Sequence, residues 1–102
     1  MKMYLISDNV DTQIGMRLAG VEGCVAHTAE EVQAEIKKAI ADKELVILIL
    51  TEKAGATVKD YLRNLKLTLH TPLIVEIPDR HGSRDIANSI NSLVQESIGL
   101  KL

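Results

Sequence analysis

Asp8 and Asp11 are the side chains placed most nearly as chemistry would need them. They follow the run Met-Tyr-Leu-Ile-Ser at 3–7, which reads as a short strand, so two carboxylates stand just past a strand end. Paired carboxylates there can hold magnesium for phosphoryl transfer. Such a site also needs a phosphoacceptor aspartate after the central strand and a lysine after a fifth strand. Thr51, flanked by Glu52, stands at the first of these positions, and the chain offers no fifth strand for the second. A turn former at Asp8 and a helix cap at Asp11 explain the pair more simply.

The remaining candidates carry weaker patterns. His27, His70 and His81 are scattered over loops without metal-ligand spacing, so no metal site is expected. Cys24 lies in an apolar stretch, where a free cysteine behaves as a small hydrophobe. No serine occupies a nucleophile elbow, and Gly15, Gly20 and Gly23 form no phosphate-binding fingerprint. Arg80, His81 and Arg84 cluster at the start of the last expected helix, where backbone N–H groups also favour anions. A solvated basic loop is the simpler reading of that cluster. No catalytic residues and no cofactor are expected.

One face resists the plain explanation. A helix expected over 83–98 has Ile86, Ile90, Leu93, Val94 and Ile98 on one stripe. Its other face holds Asn88, Ser89, Asn91, Ser92 and Gln95, with Glu96 as its only charge. Solvated helix faces usually carry Lys and Glu, and Asn and Ser are mediocre helix formers. Uncharged hydrogen-bonding side chains suit a face that is partly desolvated against another protein. Asn88, Asn91, Ser92 and Gln95 are therefore candidate partner-binding residues, with Arg80 and Arg84 beside them.

The elements that would position these residues are organised by the six aliphatic residues at 45–50. The run does not alternate, as a central strand of a parallel sheet, dry on both faces, would not. Before it, Asp11 is expected to cap a short helix that Gly20 stops, and 21–26 reads as an edge strand broken by Gly23. Thr28 with Glu31 forms a capping-box spacing ahead of Val32, Ile36, Ala39 and Ile40. From Glu52 one helix is expected, with Ala54, Val58, Tyr61, Leu62 and Leu65 on a stripe. Residues 67–71 take no assignment, Pro72 opens a fourth strand at 73–77, and 79–82 is a polar loop. Strand and helix alternate, which implies a single α/β domain over 1–102. The expected architecture is a small three-layer sandwich with a four-stranded parallel sheet, order 2-1-3-4 and receiver-like. Ligands in such folds bind at the strand ends where the order reverses, here around 7–11 and 51–55.

The totals narrow the function classes. In 102 residues, 12 basic side chains face 14 acidic ones for a net charge of −2, with two tyrosines and no Phe or Trp. Nucleic acid is not an expected partner, since neither a basic patch nor stacking aromatics stand out. One cysteine allows no internal disulfide and suits a reducing compartment. The opening apolar residues are too few for a signal-peptide core or a membrane span, so a cytoplasmic location without membrane insertion is expected.

Ser7-Asp8 with Asp11, Gly15-Met16-Arg17-Leu18-Ala19-Gly20-Val21, Ile49-Leu50-Thr51-Glu52, Pro72-Leu73-Ile74, Ile77-Pro78 and the terminal helix near Gly99 occur in a telling order. In that order and spacing the chain resembles the F subunit of the V-type and archaeal-type rotary ATPases. The resemblance implies a non-catalytic rotor component of the central stalk. It would dock on the long helical pair of the D subunit, with contacts to the catalytic head and the stalk-to-ring adaptor. It implies a place in coupling ATP hydrolysis or synthesis to ion transport, with an effect on the rate. The location implied is cytoplasmic, peripheral to the membrane. The alternative is a receiver-like signalling or small-ligand domain using the Asp8 and Thr51 crevice. A minor enzyme component whose site a partner completes ranks third.

Overall fold

The computed structural model describes residues 1–78. The polar loop and helix expected beyond Pro78, with Arg80, Arg84, Asn88, Asn91, Ser92 and Gln95, lie outside the described residues. The chain runs β1 (Lys2–Ser7), α1 (Val10–Leu18), β2 (Glu22–Val25) and α2 (Ala29–Ala41). It continues through β3 (Leu45–Thr51), α3 (Glu52–Ala56), α4 (Lys59–Thr68) and β4 (Leu73–Ile77). The four strands are all parallel and lie in the order β2-β1-β3-β4, as the alternation of patterns predicts. Every strand-to-strand connection therefore crosses over a sheet face through a helix.

Each sheet face has its own core. Ile6, Leu48 and Leu50 pack with Val32 and Ile36 of α2, Ala54 of α3 and Leu62 of α4. On the other face Leu5 and Ile49 meet Val21, with Met16 of α1 against them. Among the described helices only α1 lies on that face, over β1 and β2. β3 is buried along Leu48–Thr51, but not uniformly dry as its composition predicts, because Val46 is 41% exposed. The cause is a register shift opposite Lys2 and Met3, which leaves Val46 unpaired between Leu45 and Ile47.

Local chemistry sets most boundaries. Thr28 caps α2, its hydroxyl oxygen accepting the Glu31 N–H at 3.2 Å. At the end of α1, Gly20 takes φ +93°, a backbone conformation that favours glycine. Its N–H donates to the Arg17 carbonyl at 3.0 Å, and the Val21 N–H donates to that of Met16 at 2.9 Å. This pair of bonds is a Schellman ending, and Met16 packs against the apolar cluster that includes Val21.

Three expectations need correction. The cap of α1 is Asn9, whose Oδ1 accepts the Thr12 N–H at 2.7 Å, while Asp11 lies inside the first turn. The single helix expected from Glu52 is two, because Val58 at φ −129° and ψ 39° leaves helical geometry between α3 and α4. Gly23 does not break β2. It pairs with Leu5 in register, and a Cβ there would lie 2.6 Å from the Leu5 carbonyl oxygen.

Candidate functional site

The ends of β1 and β3 form the crevice where the strand order reverses, and Ser7 and Thr51 lie fully buried in it. Both hydroxyl oxygens accept backbone N–H groups. Thr51 Oγ1 accepts the Asp8 N–H at 3.1 Å and the Ala54 N–H at 3.4 Å, so it both ties the β1 exit to β3 and caps α3. Ser7 Oγ donates to the Asn9 carbonyl at 2.7 Å and accepts the Asn9 N–H at 3.0 Å. Asn9 Nδ2 in turn donates to Asp8 Oδ1 at 3.1 Å. The crevice residues thus satisfy one another, a turn and two helix caps in one network.

That arrangement fits scaffolding better than phosphoryl transfer. Asp8 is held by Asn9, and Asp11 is exposed in the first turn of α1, where a negative charge favours the helix dipole. The two carboxylates are not drawn together with a third acid, and among the described residues no cluster of three metal-ligating side chains occurs. His27 and His70 are both at least partly exposed, on separate loops.

Cys24 is half-buried on β2, facing the larger core. Burial pushes its thiol up from the ordinary value, the Tyr4 hydroxyl opposing this in part. Tyr4 is raised as well, first by burial and then by its hydrogen bond to Cys24. Both groups are therefore held neutral, and a neutral thiol is a poor nucleophile. Lys2 and Asp42 form an ion pair across the amino end of β1, lowering the Asp42 carboxyl. Both of these sites are structural in character.

Sequence reasoning did not single out the outer side of α4. There Lys59, Arg63 and Lys66 are exposed along one side, next to an open cleft of about 380 Å³ that Glu52, Gly55 and Glu76 help to wall. Lys66 Nζ donates to Glu76 Oε1 at 2.6 Å. The signal was present in the spacing of the three cations at i, i+4 and i+7.

With a self-satisfied crevice in a four-stranded parallel sheet, known relatives decide the assignment. The family model described as ATP synthase (F/14-kDa) subunit matches residues 3–94. The chain belongs to that family. It is 32% identical to the F subunit of the A-type ATP synthase of Methanocaldococcus jannaschii, over 100% of this chain and 99% of that protein. Identity to the like-named protein of Methanothermobacter thermautotrophicus is 34%, covering 90% of this chain and 88% of the relative. The like-named protein of Thermococcus kodakarensis is 28% identical over 100% of this chain and 98% of its own length. As a member of the ATP synthase F family, the chain is grouped with named subunits of ATP synthases. Among its described residues no helix is long and apolar enough to cross a membrane.

Proposed function

We propose that the chain is a non-catalytic component of the rotor stalk of an A-type ATP synthase. In this reading it links ATP synthesis or hydrolysis in the catalytic head to ion transport, and it adjusts the hydrolysis rate. The observation that carries the reading is the family match over residues 3–94, nearly the whole chain. The crevice agrees with it, since Ser7, Asn9 and Thr51 are occupied in holding the fold. The protein works in the cytoplasm, peripheral to the membrane, within the assembled complex.

Its principal partner in this proposal is the D subunit of the stalk, with further contacts to the head and to the adaptor above the membrane ring. Asn88, Asn91, Ser92 and Gln95 supply the docking face, with Arg80 and Arg84 as further candidates. The test pairs thermal melting with a titration against the purified D subunit. Asn88→Arg with Gln95→Glu is expected to change folding stability by no more than about 0.5 kcal/mol, as surface changes usually do. Binding is expected to weaken by about 1–3 kcal/mol, because the introduced charges are desolvated without partners. Unaltered binding by that variant would remove the polar face from the interface.

A further inference from the structure

Lys59, Arg63 and Lys66 form a row roughly 10 Å long on α4 at the helical rise of about 1.5 Å per residue. Local physics favours Lys66, which lies in the last turn of α4, but disfavours Lys59 at the other end. Like charges three or four residues apart weaken a helix. Lys59 is moreover the first residue of α4, at the positive end of the helix dipole, and Val58 before it supplies no side-chain cap. Lys66 is answered by Glu76, but Lys59 and Arg63 have no carboxylate partner among the described residues. On α2, Lys38 pairs with Glu35 one turn back, at 3.3 Å, while Lys37 has no ion pair among the described residues. The row on α4 also ends on an apolar side chain, since Leu67 follows Arg63 by four residues and is 77% exposed.

We propose that this side of α4 is an interaction surface for an acidic segment of a partner protein in the complex. Two carboxylates about 6 Å apart, as at i and i+4 of a helix, meet Lys59 and Arg63, and an apolar side chain covers Leu67. Charge complementarity selects this occupant. Glu52 and Glu76 line the same cleft as the three cations, so a small anion seated in it meets both signs of charge, whereas a segment lying along α4 meets Lys59 and Arg63, which have no ion pair among the described residues. The inference rests on the chain's working inside a complex, as proposed above, but not on the polar face at 88–95.

The test uses the assembled ATPase complex containing this chain. A carbodiimide joins an ammonium to a carboxylate without a spacer, and peptide mass spectrometry locates the links. Lys59 or Lys66 is expected to be joined to Asp or Glu of another protein of the complex. Reassembly of complex depleted of this chain gives the second readout. Lys59→Glu with Arg63→Glu is expected to bind ten- to a hundredfold more weakly at low salt, the gap narrowing as salt screens the contact. Lys37→Glu on α2, the control, is expected to stay within about twofold. Melting curves of both variants establish that they fold.

Links from Lys66 to Glu76 alone, or equal binding by both variants, would overturn the inference. So would protection of Lys59 from acylation by inorganic phosphate without any link between proteins, which would mark a small-anion site. A chain that never co-purifies with an ATPase complex defeats the proposed function and this surface with it. One that co-purifies without a contact at α4 defeats the surface alone.

Discussion

Thr51 illustrates how a position suited to chemistry can be given over to structure. Its buried hydroxyl oxygen serves two backbone N–H groups from different elements, those of Asp8 and Ala54. Thr51→Val keeps the shape and removes the acceptor, leaving both donors without it. Urea denaturation is expected to show a loss of about 1–3 kcal/mol, the usual cost of stranded buried polar groups. Thr51→Ser retains the hydroxyl and is expected to lose less than half of that. Equal losses would mean that the methyl group matters more than the bonds. The sequence shows that Thr51 is not an acid, which is enough to weaken a phosphoacceptor reading. It does not show where the hydroxyl points, because that follows from the approach of β1 to β3. The cap of α1 was obscured for a related reason. Asp8, Asn9 and Asp11 are all good cap formers, and only backbone geometry selects Asn9.

Among the elements, β2 and α1 carry glycines with opposite consequences. A side chain at Gly23 would strike the Leu5 backbone, whereas a Cβ at Gly15 meets nothing within 4 Å. Gly23→Ala is expected to destabilise the fold by about 1–3 kcal/mol through overpacking. Gly15→Ala, in the middle of an exposed helix, is expected to stabilise it by about 0.5–1 kcal/mol. Chemical denaturation of the two variants side by side checks the signs, and a stable Gly23→Ala would show that β2 can shift away from β1. Strand-breaking propensity made Gly23 look like an interruption, since close contact between strands is a tertiary fact. The division between α3 and α4 was hidden for a different reason. The apolar stripe through Ala54, Val58 and Leu62 continues across the break, and all three are buried. The limits of α2, by contrast, were legible because Thr28 and the spacing of Val32, Ile36 and Ala39 act within the helix itself.

For the whole molecule, the order β2-β1-β3-β4 was legible because one all-aliphatic strand must lie centrally and crossovers are almost always right-handed. The charged row on α4 was not, since its meaning depends on which cations find partners in three dimensions. The parallel arrangement has a mechanical consequence. β1 begins at one end of the sheet and β4 finishes at the opposite end, with β3 hydrogen-bonded between them. Tension applied between Lys2 and Ile77 therefore runs along the strands and loads both ladders in shear, many bonds at once. Tension between Ser7 and Ile77 pulls across the sheet from a single end and opens bonds in succession. Single-molecule extension from these two pairs of anchor points is expected to give the higher rupture force for Lys2 with Ile77. Forced unfolding reports the barrier rather than the equilibrium stability, so two attachments to one protein of fixed stability isolate direction. A body with this grain resists being drawn out along its strands, and peels most readily from the edge.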